Sequence, residues 1–214
     1  MARPVNADAD KTKTRILDSA TLLFAERGLG STSVRDVAGA ANVSLAMVNH
    51  YFGSKDGLYD ACISAMFDEL RLMQHVLAEQ VTLDAPVDEL VSHAVRAMFA
   101  YACDYRTAVR LLVRDAASSG EVSPRGRGIL LDMLYTVTNG LGARLGRAPD
   151  ELRLPLQSIV FLVARYAAQA ENELCLVAGM PAKEKARAKA AVEAHLVDVA
   201  YGLLGVNDSK KKNE

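Results

Sequence analysis

The spacing of the apolar residues constrains the fold most strongly, because it follows a helical period along almost the whole chain of 214 residues. No stretch alternates convincingly between apolar and polar residues, as a half-buried strand would. In the first helical segment Ile16, Ala20 and Leu23 lie on one side, and Gly28 and Gly30 are placed to end the helix. The pattern predicts an all-α fold of about nine helices.

The composition is that of a folded protein with an ordinary surface. Half of the residues are hydrophobic and 24% are charged, which is enough apolar material for a core. With 25 Lys and Arg against 26 Asp and Glu, the net charge of −1 excludes a polybasic, histone-like protein and a mainly acidic, disordered one.

Other sequence features set the expected cellular context. The first residues lack the apolar core of a signal peptide, and Arg165 interrupts the most apolar stretch. Three widely separated cysteines predict neither a disulfide framework nor a zinc site; each is a small buried hydrophobe or a thiol sensor. We expect a soluble, cytoplasmic protein that binds no membrane, metal or cofactor.

A pair of short helices is predicted between residues 33 and 52. Ser33 and Asp36 have the spacing of a capping box at the start of the first helix. Asn42 is one of the few residue types besides glycine that accept a left-handed turn position, and Ser44 can cap the helix that follows. This layout is typical of a helix-turn-helix, whose second helix can enter the major groove of DNA.

Short runs of residues between positions 16 and 58 add a more specific pattern. They are Ile16-Leu17 with Ala20, Leu23-Phe24 and Gly28, then Ser33-Val34-Arg35-Asp36-Val37-Ala38, Val43-Ser44, Tyr51-Phe52, Lys55 and Leu58. This pattern resembles the opening of the TetR family of transcriptional regulators, and the close match covers about residues 10–70. The resemblance implies a three-helix DNA-binding head at 10–70, a helical ligand-binding and dimerisation body at 71–206, and a disordered tail at 207–214.

The resemblance also assigns DNA contacts to residues of the head. They are Ser33, Arg35, Ser44, Leu45, Ala46, Met47, Asn49, His50, Tyr51 and Lys55. Ser33, Arg35, Tyr51 and Lys55 suit phosphate, whereas an Asn can pair with adenine and an apolar side chain can touch a thymine methyl. Asn49 stands where the family usually has an aromatic residue, so it either contacts the backbone or reads a base. His50 has the same two alternatives, or faces solvent.

The charge of the head gives weaker support for DNA binding. Residues 1–55 hold seven basic and five acidic residues, so the basic footprint expected of a DNA-binding domain is faint. Lys11, Lys13 and Arg15 cluster before the first helix, where they either reach DNA or form an ordinary solvated turn.

Two helices near the C-terminus carry apolar stripes with the spacing of a helical bundle. The stripes comprise Leu156, Ile159 and Val163, and then Val192, Leu196, Val199 and Leu203. They either lie in the core of the chain itself or form a four-helix dimer interface, with two helices from each subunit.

The family resemblance further implies an effector pocket within the body. It would lie among the fourth to eighth predicted helices, which carry the apolar and aromatic residues Met66, Met73, Met98, Phe99, Tyr101, Met133 and Phe161. They either pack the core or enclose a mainly apolar molecule, whose polar end Tyr101 or Arg165 would orient. Arg165 alternatively forms a structural ion pair.

The sequence thus predicts a homodimeric regulator that binds a double-stranded palindromic operator, usually as a repressor, and is released by an unknown small molecule. A helical-bundle enzyme and an adaptor that binds only protein are the alternatives. No catalytic motif such as H-E-x-x-H, G-x-S-x-G or a Walker A sequence occurs, and we expect no enzyme activity.

Overall fold

The computed structural model describes residues 5–80, 85–119 and 124–207, leaving out the side chains at 5–8, 69–70, 72–80, 118–119, 124–126 and 129–130. The described ranges form ten helices and no strand, as an all-α fold requires. In chain order the helices are α1 (Val5–Ser31), α2 (Val34–Ala40), α3 (Leu45–Phe52), α4 (Lys55–Gln80), α5 (Val87–Asp104), α6 (Arg106–Ser119), α7 (Pro124–Leu145), α8 (Pro149–Ala167), α9 (Glu171–Val177) and α10 (Lys185–Leu204). The proposed tail lies beyond the described residues, apart from Asn207.

The additional helix relative to the sequence prediction is α9. It has only 7 residues and no capping side chain at its start, so it lacks both the length and the cap that reveal a helix in a sequence. The last helix begins at Lys185 instead of at Pro181, which lies in the preceding loop.

The first core cluster belongs to the head. Ile16 and Phe24 of α1 pack with Val37 of α2 and Leu58 of α4, and all four are fully buried. Leu111 of α6 is also fully buried in this cluster. The head therefore shares its core with a helix that follows residue 70.

The second core cluster lies in the body, where α5, α8 and α10 pack against one another. It contains much of the stripe predicted for a dimer interface: Ile159, Val163, Val192 and Leu196 are all at most 5% exposed. For these four residues the prediction of an interface is wrong, because their side chains already face the core of their own chain. Leu156 and Val199 are partly buried, and Leu203 is 37% exposed.

Candidate nucleic-acid interface

The capping box at the start of α2 forms as the sequence predicts. The backbone N–H of Asp36 donates to Ser33 Oγ at 3.1 Å, and the backbone N–H of Ser33 donates to Asp36 Oδ2 at 3.0 Å. The Ser33 hydroxyl also donates to Asp36 Oδ2, at 2.6 Å. These hydrogen bonds, first from the side chain and then from the backbone of Ser33, lower the pKa of Asp36. Because the Ser33 hydroxyl already donates its proton to Asp36, it caps α2 and is not a free donor for phosphate.

The turn between α2 and α3 depends on one left-handed residue. Asn42 has a φ of 51°, the only positive φ of a non-glycine residue in the described ranges. This confirms the turn position predicted from the sequence. Ser44 then accepts a hydrogen bond from the backbone N–H of Met47 at 3.2 Å and so begins α3. In that arrangement the Ser44 hydroxyl keeps its own proton for a further acceptor.

One buried residue anchors α3 to the head, and the opposite side of this helix is exposed to solvent. Val48 is 1% exposed and packs in the head core. The residues exposed around it are Leu45, Ala46, Met47, Asn49 and His50. They comprise an amide, an imidazole and three apolar side chains, a mixture that matches the donors, acceptors and thymine methyls of a major groove.

The candidate phosphate-binding residues differ in their exposure and in the contacts they already make within the chain. Arg35 is exposed, whereas Tyr51 is half-buried and its ring contacts the rings of His50 and Phe52. Lys55 is also half-buried, and its Nζ donates to the carbonyl of Leu29 at 3.0 Å. Lys55 therefore ties the start of α4 to the end of α1, a structural contact that the sequence did not reveal.

The structure does not bring the predicted ligand-binding residues together. Met66 is buried in the head core, and Phe99 is fully buried in the body core. Phe161 is 60% exposed and Arg165 is exposed. The prediction placed both in a pocket of the body, but neither lines an internal cavity of the chain. Both side chains lie on the outer side of α8, because Ile159 and Val163 occupy its core side.

The other predicted ligand contacts are partly buried or undescribed. Met98 packs against the body core, and Met133 is partly buried on α7. Tyr101 stacks on Tyr105, with 4.4 Å between the ring centroids. The side chain of Met73 lies outside the described residues.

An open cleft between α7 and α8 was not foreseen from the sequence. Its volume is about 340 Å³, and it is lined by Leu131, Asp132, Leu134, Tyr135 and Arg153. No motif could have indicated it, because the lining comes from two helices that packing alone brings together. Within the described residues, no group of His, Cys, Asp or Glu is arranged to hold a metal ion, and no helix is long and apolar enough to span a membrane.

Residues 16–62, which hold the capped helix pair and its packing, match the family model of bacterial regulatory proteins of the tetR family. The chain therefore carries a domain of the TetR family. The match confirms the resemblance found in the sequence. It also assigns residues 16–62 to a family of transcriptional regulators.

The curated relatives align with less than half of this chain. The probable transcriptional regulator YttP of Bacillus subtilis is 28% identical over 104 residues, 49% of this chain and 50% of YttP. The transcriptional repressor KstR2 of Rhodococcus jostii is 34% identical over 87 residues, 40% of this chain and 43% of KstR2. The chain thus spans about half the length, or less, of these curated relatives.

A solved structure extends the likeness to the fold of the whole chain. The ketosteroid transcriptional regulator KstR2 of Mycobacterium tuberculosis aligns with a TM-score of 0.62 at 19% identity, covering 89% of this chain and 93% of that one. At this identity the likeness concerns the fold alone. The shared fold therefore extends beyond residues 16–62 into the helices that follow.

Proposed function

We propose that this chain is a sequence-specific DNA-binding regulator that acts as a homodimer on a palindromic operator. It represses transcription there and leaves the operator when a small molecule binds the body. The observation that carries the proposal is the arrangement of α3: Val48 fixes the helix to the head core, while the residues around it stay exposed. A helix held in this way can enter the major groove without losing its packing.

Within this interface the residues have different roles. Asn49 reads a base, because its exposed amide offers the donor and acceptor that adenine pairs with in the major groove. Ala46 and Met47 supply apolar contacts to thymine methyl groups. Arg35 and Tyr51 bind phosphates, and Lys55 adds a phosphate contact while it holds Leu29.

The homodimer uses the outer sides of α8 and α10. Leu154 and Phe161 on α8 are 79% and 60% exposed, and Leu203 on α10 is 37% exposed. Large apolar side chains so placed favour burial against a second copy, and two helices from each subunit would form a four-helix interface. Of the original stripe, Val199 and Leu203 remain available for it, since the partly buried Leu156 packs against the body core.

The effector is a mainly apolar molecule bound in the body. Partly buried Met98, Tyr101 and Met133 remain candidates for contact with it, since methionine adapts to varied apolar shapes. A similarly folded regulator is named for ketosteroids, which supports an apolar ligand. Such a molecule releases DNA only to the extent that it prefers the conformation that does not bind the operator. Operator DNA must then weaken effector binding by the same factor.

Selection of bound fragments from random DNA tests the proposed function. We expect an inverted repeat whose half-sites are about one helical turn, roughly 34–36 Å, or a multiple of it apart. Fluorescence anisotropy with the selected site and a scrambled site of equal length then measures specificity. Equal affinity for both at physiological salt would contradict a sequence-specific regulator.

A further inference from the structure

The C-terminal end of α1 is held by a side chain from α6. Arg114 Nη1 donates to the carbonyl oxygens of Ala25 and Glu26, at 3.2 Å each. The helical path of α1 is interrupted at Gly28, so Ala25 and Glu26 lie in the last turn of the helical segment before it. The last carbonyls of such a segment run out of partners within the helix, and a cation there is favoured by the helix dipole. Arg114 thus adds, from α6, a charged partner for two carbonyls near this end of α1, next to the hydrogen bonds that Thr32 Oγ1 donates to the carbonyls of Leu23 and Gly28.

The backbone at Gly28 makes room for this contact. Gly28 leaves the helical path with a φ of 81°, a conformation that favours glycine. A Cβ atom at this position would lie 3.0 Å from Nε and 3.2 Å from Nη2 of Arg114. The glycine therefore serves two purposes, since it bends the chain and admits the guanidinium.

The neighbouring residue of α6 holds the fourth helix. The Tyr59 hydroxyl of α4 donates to Asp115 Oδ1 at 2.7 Å, and the Tyr59 ring meets the Phe24 ring edge-on at 5.1 Å between centroids. Burial, and then the hydrogen bond to Asp115, raises the pKa of Tyr59 well above its ordinary value. The hydroxyl therefore stays protonated, and remains a donor, throughout the physiological range.

We propose that Arg114 and Asp115 are positioning residues that fix the orientation of the head on the body. Arg114 contacts α1 and Asp115 contacts α4, and we call these two contacts the grip. α2 packs against α1, and α3 packs against α4. In a dimer, the orientation of each head sets the separation of the two recognition helices. The expected effect on DNA binding rests on the proposed function. The contacts of the grip with α1 and α4 do not depend on it.

The grip is tested first without DNA, by the distance between spin labels on head and body within one chain. Labels are attached at Ala40→Cys on α2 and Ala190→Cys on α10, both exposed positions, in a Cys103→Ala background that leaves Cys62 and Cys175 buried. Dilution with excess unlabelled chain removes distances between subunits. We expect Arg114→Ala to broaden or shift the distance distribution and Arg114→Lys to restore it in part.

The matched control is Arg110→Ala, which removes the same charge from an exposed position one turn earlier on α6. It should leave the distribution as in the wild type. A circular dichroism melt shows that each variant is folded, and Tyr59→Phe removes the second contact while keeping the ring. An unchanged distribution in both folded Arg114→Ala and folded Tyr59→Phe would overturn the proposal.

The second test compares binding of a full palindrome with binding of a single half-site. Loss of the grip should raise the Kd for the palindrome about tenfold, because the two heads no longer match its spacing, and the Kd for the half-site less than about twofold. Equal weakening on both DNAs would mean that Arg114 acts on the DNA-binding surface itself, and would overturn its positioning role. If the wild type bound no DNA specifically, the proposed function would fail, and the label distances would still decide the grip.

Discussion

The short helices of the head begin with side-chain caps, whereas α5, α8, α9 and α10 of the body begin without one. Ser33 caps α2 and Ser44 caps α3, which have 7 and 8 residues. The residues that precede the four body helices are Pro86, Ala148, Ala170 and Glu184, and none makes a side-chain cap. Helices of two turns are marginal by themselves, so α2 and α3 gain stability from local hydrogen bonds as well as from burial. The four body helices, of which α9 also has only 7 residues, depend on burial alone for this.

The largest expected effect comes from charging a buried stripe of the body. Leu196→Asp places a carboxylate at a position that is 1% exposed, at a cost of about 3–5 kcal/mol in the free energy of unfolding. We expect urea unfolding followed by circular dichroism to show severe loss of stability. Leu176→Asp makes the same change at a position on α9 that is 72% exposed; it is the control and should cost little. A stable but monomeric Leu196→Asp protein would instead return Leu196 to a subunit interface.

The second largest effect concerns dimer formation through the exposed side of α8. Phe161→Glu changes an exposed residue, so the chain should fold, but the carboxylate would oppose burial against a second subunit. Sedimentation should show twice the 23.0 kDa chain mass for the wild type and a single chain mass for the variant. Leu22→Glu, at an exposed position in the head, should keep the wild-type mass. A wild type that is monomeric on and off DNA would refute the proposed dimer.

The contrast between capped and buried helices explains what the sequence could predict. Caps and turns are local, so Ser33, Asp36, Asn42 and Ser44 were placed correctly from residue types and spacing alone. A helical stripe shows which residues share a side, but not which partner covers that side. For this reason the spacing around Ile159 fitted two subunits as well as one.

Long-range contacts between side chains were likewise beyond the sequence. Nothing in the spacing joins Lys55 to Leu29, or Arg114 to Ala25, since these pairs meet only after the helices pack. For a related reason the candidate ligand-binding residues do not all lie together. Methionine and aromatic residues serve both cores and ligand sites, so composition could not separate Phe99 in the core from Phe161 at the surface.

A third prediction asks whether α3 reads bases through Asn49. Asn49→Ala should remove preference at one base pair of each half-site, with a loss of about 1–3 kcal/mol in discrimination against the wrong base. Anisotropy titrations against single-base variants of the selected operator measure this loss. Asn172→Ala, an exposed asparagine on α9, is the matched control. If Asn49→Ala weakens all sequences equally, the residue contacts the backbone.

A fourth prediction concerns phosphate binding, where Arg35 and Lys55 should behave differently. Arg35→Ala should weaken binding similarly for all sequences and reduce the slope of log affinity against log salt by about one unit. Lys55→Ala should lower the slope and also destabilise the head, because it releases the carbonyl of Leu29. Binding at several salt concentrations, paired with thermal melts, separates the two effects. A salt slope unchanged by Arg35→Ala would exclude its phosphate contact.

The smallest effect concerns the capping box that starts the head's helix pair. Ser33→Ala removes the side-chain cap of α2 and should cost about 1 kcal/mol of stability, measured by urea unfolding at neutral pH. Because the pKa of Asp36 is lowered in the folded chain from its ordinary value of 3.8, its hydrogen bonds stabilise the fold fully above that value. This contribution is lost as the pH falls through the folded pKa. The stability difference between wild type and Ser33→Ala should therefore be constant near neutrality and shrink below about pH 4. A difference that stayed constant into strong acid would mean that the Asp36 carboxylate contributes nothing to the cap, leaving the Ser33 side chain to act alone.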